Sequence, residues 1–451
     1  MMETAEITVN KTGTQTYFRW VIAGLIFIVY TVAAADRANL GFALPFIRKE
    51  FAMSNTEAGA LVSLFLLAYS IAQLPSGFAY AKFGVPKVFC VAMLATSAFT
   101  GMIGSATSIL MFKVYRFALG LAEGPLPVGI TSTINNWFPP REKGTATGIF
   151  LSAAKFGPVL VPPLCAIIVM NFGWRYIFYF FAVPGVLLSL VWYFLVPNRP
   201  SESRFCSRSE VDYIAESTIS TVRAEKKVAK SFGFLDRLIR ARPVARLETN
   251  SSVFRSWNIV GTAFAYFFMT AIVNVLLAWI PTYLLNVKHY SIANMGLVAA
   301  APWIGAVIGN LAGGMFTDRI LDKRRKPAMM ISAFATIVMM IVLINAPADP
   351  LIYGMMLLLT GILLNFGYST YMVYPMGMTS KKVYPIASAF INTLGQLGGA
   401  CAPLIAGYLL DHYNWDYVFG FMALCSVLCL LTLLTIVEPL EQKQTTGMQA
   451  V

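Results

Sequence analysis

The sequence predicts an all-α membrane protein in which twelve spanning helices form two pseudo-symmetric six-helix halves, and three observations predict it. Of 451 residues, 57% are hydrophobic and only 12% charged, about half the charged share of an ordinary soluble domain. Apolar runs near the length of about 20 residues that crosses a bilayer recur along the chain. The chain also repeats itself. A shift of 241 residues aligns Arg141 with Lys382, Gly157 with Gly398, Pro162 with Pro403, and Trp174 to Phe178 with Trp415 to Phe419. A shift of 237 aligns Gly59 with Gly296 and Gly77 with Gly314. Two parallel six-span repeats are an architecture that places a substrate site at the midplane between halves that rock.

In order, a tail (1–17) precedes spans near 18–43, 57–80, 86–106, 109–134, 144–170 and 174–196, which make the first half, 18–196. The first run is too long for a signal-peptide core, and Asp36 and Arg37 stand where a small-residue cleavage site is needed, so it is a retained span. A polar connection (197–256) follows, in which Phe232, Leu235, Leu238 and Ile239 recur at helical spacing among Arg237, Arg240 and Arg242. That pattern predicts a basic amphipathic helix on the inner leaflet. The second half (257–437) has spans near 257–286, 292–316, 327–346, 350–376, 384–410 and 415–437, and a tail (438–451) ends the chain.

Lys and Arg exceed Asp and Glu by 13, yet their placement reads as topology and not as a nucleic-acid site. With the N-terminus cytoplasmic, 26 of the 34 cations fall on that side, four (Arg48, Lys49, Arg175, Lys288) on the other, and four lie within spans. The positive-inside rule therefore places both termini in the cytoplasm of a cell membrane, with a bacterial inner membrane as the expected setting. Six cysteines without a CxxC pair and two histidines imply neither a disulfide framework nor a metal site, and no cofactor is expected. A chain lacking a GxxxxGK[ST] loop is not a self-contained ATP-driven pump, and nothing points to an enzyme.

Gly314-Met315-Phe316-Thr317-Asp318-Arg319, followed by Lys323-Arg324-Arg325-Lys326, is similar to the loop signature of the major facilitator superfamily. The first-half copy runs from Gly77 to Gly84 and has Ala81 where the acidic residue is expected. More narrowly, Asp36-Arg37-Ala38-Asn39-Leu40, Tyr69 with Gln73-Leu74-Pro75, Arg116 with Glu123-Gly124-Pro125, and Trp137-Phe138-Pro139 resemble the anion:cation symporter family, whose members import sugar acids and other organic anions. The resemblance implies a gating role for Gly77, Gly84, Gly314, Asp318 and Arg319, proton coupling at Asp36 and Glu123, and anion binding or proton-linked gating at Arg37 and Arg116.

An ionisable group at membrane depth costs at least about 2.5 kcal/mol on insertion scales, so each needs a partner or a function. Arg116 and Glu123 are seven residues apart and share a helix face. Asp36 and Arg37 are consecutive and point about 100° apart. One economical arrangement pairs Asp36 with Arg116 and turns Arg37 to the cavity, either as structural ion pairs or as working groups. Glu123, beside Gly124 and Pro125, is the better proton carrier. Lys155 lies too deep to snorkel, and two readings stand: a cation for a second substrate carboxylate, or a structural partner of Glu123 or Asp36. The second half offers the neutral Asn274, Asn365, Asn392, Thr393 and Gln396, with Tyr69 and the Tyr371 and Tyr374 pair as further donors.

These features predict a monomeric proton-coupled symporter of a small organic anion, a sugar acid carrying one or two carboxylates, with protons and the bilayer as its other partners. An organic-phosphate antiporter is the nearest alternative, and a membrane sensor that binds without transporting is the alternative from another class.

Overall fold

In the computed structural model, residues 16–219, 232–380 and 383–440 are described. Most of both tails lies outside them, as do Lys381 and Lys382. The first half comprises α1 (Phe18–Phe51), α2 (Asn55–Phe83), α3 (Val85–Gly104), α4 (Ile109–Glu123), α5 (Pro125–Trp137), α6 (Lys143–Phe172) and α7 (Arg175–Leu195). The connection carries α8 (Arg208–Ile219), α9 (Phe234–Leu238), the two-residue β1 (Arg242–Pro243) and α10 (Asn250–Arg255). The second half comprises α11 (Trp257–Asn286), α12 (Ile292–Met315), α13 (Lys326–Ile344), α14 (Pro350–Phe366), α15 (Thr370–Val373), α16 (Tyr384–His412) and α17 (Trp415–Thr435), and β2 (Pro439–Leu440) follows.

Among the described residues, eleven helices are long and apolar enough to cross a membrane. The twelfth expected span, 109–134, is divided at Gly124 into α4 and α5. Pro125 supplies no N–H to continue the ladder, so the break falls beside Glu123. Span starts are capped by short polar side chains. Ser54 and Glu57 form a reciprocal capping box on α2, Asp349 accepts from Leu351 and Ile352 on α14, and Asn414 accepts from Asp416 and Tyr417 on α17. Gly84 has φ 82°, and a Cβ there would lie 2.7 Å from the Asn198 side chain. Glycine thus lets Asn198 reach past and accept the Val85 N–H at 2.7 Å, fixing the start of α3.

The sequence repeat reappears as repeated packing. Gly157 sets α6 on the backbone of α1 at Thr31, and its mate Gly398 sets α16 on the backbone of α11 at Phe267. Between the halves, Gly59 of α2 lies on the Pro403 carbonyl of α16, and Gly296 of α12 lies on the Pro162 carbonyl of α6, so repeat-related residues exchange roles across the seam. Gly41 on Leu277 of α11 and Gly407 on Asn55 complete it, each with no room for a Cβ. All these contacts between halves cluster toward the end that carries the α1–α2 turn. At the other end, a Cβ added to Gly77, Gly144, Gly148 or Gly314 would meet nothing within 4 Å. The close contacts between the halves thus gather at one end, and the opposite, open end carries none of them.

The connection departs from the expected amphipathic helix. Its basic segment is the five-residue α9, followed by a fully covered Ile239, and it is fastened to the second half. Arg324 grips Asp236 at 2.6 and 3.0 Å, Lys326 Nζ donates to the Ile239 and Ile436 carbonyls, and β1 pairs in parallel with β2. Five residues bury too little apolar surface for a helix to stand alone on a membrane, so tertiary contacts decide its place. The preceding stretch belongs to the first half: buried Glu210 of α8 accepts from the Phe18 and Arg19 backbone N–H groups and the Arg19 guanidinium.

Candidate functional site: a charged wall between the halves

Glycine packing builds the charged wall. Gly120 and Gly124 press α4 onto the backbone of α2 at Phe65 and Tyr69, which brings Glu123 and Arg116 inward. Arg37, from α1, donates through Nε to Glu123 Oε1 at 2.5 Å and through Nη2 to the Tyr30 hydroxyl at 3.3 Å. Its guanidinium also lies 4.5 Å from the Tyr69 ring centroid, a cation–π contact. Glu123 is fully buried whereas the Arg37 side chain keeps 21% of its surface. The second carboxylate oxygen of Glu123 is buried without a hydrogen-bond partner.

The expected pairing of Asp36 with Arg116 is not the one formed. No ion pair within 4 Å joins them. Asp36 accepts from Asn39 at 3.2 Å, whereas Arg116 donates weakly to the Leu61 carbonyl at 3.4 Å and sits over the Phe65 ring. One Arg116 nitrogen, Nη1, is buried without a partner. The reason is geometric: the α4–α2 contact places Glu123 opposite Arg37, and the shorter carboxylate of Asp36 is taken by its own helix one turn on. Asp36 remains within electrostatic reach of Arg116, Glu123 and Arg37, so the four charges act as one cluster.

Lys155 points across the gap. Its Nζ donates to Asn365 Oδ1 of α14 at 3.1 Å and lies 4.2 Å from the centroid of Tyr368, whose hydroxyl receives the Tyr266 O–H at 3.1 Å. The second of the two readings, a structural pairing of Lys155 with Glu123 or Asp36, is not the contact formed. Of the second-half amides, Asn274 turns back to the Thr270 carbonyl of its own helix, while Asn392 and Gln396 stand half-buried one turn apart on α16. The Tyr371 and Tyr374 hydroxyls are engaged elsewhere, with Cys429 and the Val437 carbonyl, while the Tyr371 ring packs against Tyr266. Tyr30, Tyr266 and Tyr368 join the site without having been expected from the sequence. Tyr30 carried a usable signal, lying two helical turns before Arg37 on the same face.

The loop signature sits at the open end. Asp318 pairs with Arg325 at 2.7 Å, and Arg325 also donates to Thr317, while Arg319 is exposed. In the first half, where Ala81 replaces the acid, Asn198 instead fastens the α2–α3 turn at Gly84 through the Val85 N–H.

The family profile described as Major Facilitator Superfamily matches residues 26–403 and 359–450. The chain belongs to the major facilitator superfamily. It is thus a transporter and not an enzyme. Among relatives, it is 28% identical over 452 residues to the Escherichia coli (strain K12) protein named "Probable galactarate/D-glucarate transporter GarP", covering 96% of this chain and 98% of that one. It is 23% identical to the Bacillus subtilis (strain 168) "Hexuronate transporter", covering 86% and 87%. The crystal structure of a D-xylose-proton symporter superposes with a TM-score of 0.71 at 17% identity, covering 93% of this chain and 98% of that one, which shows the shared fold. This superfamily member carries its charged cluster in one half only: Asp36, Arg37, Arg116, Glu123 and Lys155 all precede the connection.

Proposed function

We propose that this protein is a proton-coupled symporter of a sugar acid, a polyhydroxylated anion with one or two carboxylates, imported as a monomer by alternating access across a bacterial inner membrane. The single observation that carries the reading is the Arg37–Glu123 pair: a partly accessible guanidinium whose bonded carboxylate is wholly buried. A substrate carboxylate and the Glu123 carboxylate compete for the same guanidinium. When Glu123 takes a proton its charge no longer holds Arg37, and the freed fork receives the substrate in a bidentate, charge-assisted contact. Proton and anion therefore load together. Asp36, in the same charge cluster, is the second candidate proton carrier, and Arg116 holds the cluster's charge balance from behind.

Lys155 supplies a second cation, now held by a neutral amide that an anionic group displaces readily. Galactarate and glucarate, which the names of relatives mention, bear a carboxylate at each end and fit two separated cations. Tyr69, Asn392 and Gln396 offer donors and acceptors for the hydroxyl groups between, and Asn274 lies one layer behind them, against Gly399. The excess of 26 cations over four supports a cytoplasmic N-terminus, which makes the open end the cytoplasmic one. The Gly77, Gly84, Gly314, Asp318 and Arg319 turns then work at that face.

Uptake of labelled galactarate into proteoliposomes tests this reading. An alkaline interior should drive accumulation that collapses with a protonophore. Uptake that ignores the pH gradient and requires a trapped internal anion would instead establish exchange.

A further inference from the structure

Among the described residues, hydrogen bonds cross between the halves at two levels. One is Lys155 to Asn365. The other lies at the closed end, where Asp411 of α16 takes four bonds from the start of α2. Oδ1 accepts from the Asn55 backbone N–H and side-chain amide, each at 2.8 Å, and Oδ2 accepts from the Thr56 backbone N–H at 2.7 Å and hydroxyl at 2.6 Å.

A helix begins with four backbone N–H groups that its own carbonyls do not reach. In α2 the Ser54 N–H goes to the Glu57 carboxylate and the Glu57 N–H to the Ser54 hydroxyl. The remaining two, on Asn55 and Thr56, are completed by a carboxylate belonging to the other half. The negative charge also sits on the positive end of the α2 dipole. Arg48 at the end of α1 stands within electrostatic reach of Asp411, and the rest of the seam beside it is backbone contact, Gly407 on Asn55 and Gly59 on Pro403, which gains only short-range attraction.

We propose that Asp411 is the latch of this end: it caps α2 across the seam while the end is shut, and its four bonds must break each time α2 and α16 separate. The inference concerns the balance between open and closed forms. It rests on family membership and not on the substrate or on proton coupling. Asp411 is therefore a positioning residue for transport.

Cysteine labelling of the purified full-length protein tests it, with modification read peptide by peptide by mass spectrometry. Ser63 continues the row Asn55, Gly59 along α2, and its hydroxyl is buried, so Ser63→Cys reports on opening of the latched end. Thr393 lies on α16 eighteen residues before Asp411, five whole turns away on the same face, and is exposed, so Thr393→Cys reports on the opposite end. Asp411→Ala and the milder Asp411→Asn should raise the labelling rate at position 63 by about threefold to tenfold, the range for losing charge-assisted bonds that favour one state, and lower it at position 393. Thr56→Val, which deletes one hydroxyl donor, should act in the same direction by less and serves if an Asp411 variant does not fold. Unchanged labelling at position 63 in folded variants would overturn the latch. So would rates that rise at both positions, because that marks general loosening and not a shifted balance.

Discussion

Arg37 and Glu123 join α1 to α4 through a 2.5 Å ion pair in which the acid is fully buried and the base is partly accessible. That asymmetry matters more than the pair's strength. In the proposed mechanism, a carboxylate sealed from water and sharing one guanidinium exchanges its proton when the guanidinium has another anion to hold, which is the logic of coupled loading.

Replacing Arg37 separates binding from folding. Arg37→Ala strands the buried Glu123, so apparent stability should fall by about 3 kcal/mol or more, and substrate binding should be lost. The double variant Arg37→Ala with Glu123→Gln should regain most of the melting temperature without regaining binding. Thermal unfolding with and without galactarate reads both, since a ligand bound to the native state raises its stability. Recovery of binding in the double variant would assign Arg37 to structure.

Lys155→Gln should weaken a diacid by about 1.5 to 3 kcal/mol, the range for a hydrogen bond to a charged group, and a matched monoacid much less. Because the ammonium is bonded to Asn365 and not to a carboxylate, the substitution leaves no buried acid unpaired, and the melting temperature should scarcely move. Affinities for galactarate and for a monocarboxylate of the same length, measured by calorimetry, check it. Equal losses for both ligands would remove the second carboxylate from the account.

How much of this was legible follows from what sequence patterns encode. Spans, halves and repeat were readable because hydrophobic length and small-residue spacing act locally, as Gly157 and Gly398 show by closing equivalent helix pairs. The five membrane charges were readable because each is costly in a bilayer. Their pairing was not, because Asp36 and Arg37 are neighbours on one helix and only the rotation of α1 against α4, set by Gly120 and Gly124 on α2, chooses between them. Lys155 finding Asn365 is a contact between residues 210 apart in sequence, and no periodicity records it. The connection misled for a related reason: Ile239 and Arg240 read as apolar and basic members of a membrane-lying amphipathic helix, yet Arg240 donates to the Leu434 and Thr435 carbonyls at the end of α17, and the Ile239 carbonyl shares Lys326 Nζ with that of Ile436.

Stability should also fall with rising pH because of Glu438, which lies beyond the last span. Burial pushes its carboxyl up to about 7, although it accepts the Arg325 and Lys326 backbone N–H groups and faces Lys326 and Arg324. A carboxyl raised above its unfolded value favours the folded state most when protonated, so its contribution is full below about pH 4.5 and lost as pH climbs to about 7. Melting temperature across that window should decline in the parent protein and flatten in Glu438→Gln. An identical slope in both would show that other groups set the pH dependence.

The central claim, that Glu123 carries the coupled proton, is tested most directly by Glu123→Gln in proteoliposomes, with substrate exchange and gradient-driven accumulation measured side by side. The amide imitates the protonated acid, so the loaded protein should still reorient, and exchange of labelled for unlabelled substrate should persist at a rate near the parent's. Accumulation driven by a pH gradient should disappear, because no proton can leave. Undiminished uphill uptake by the Glu123→Gln protein would contradict the account.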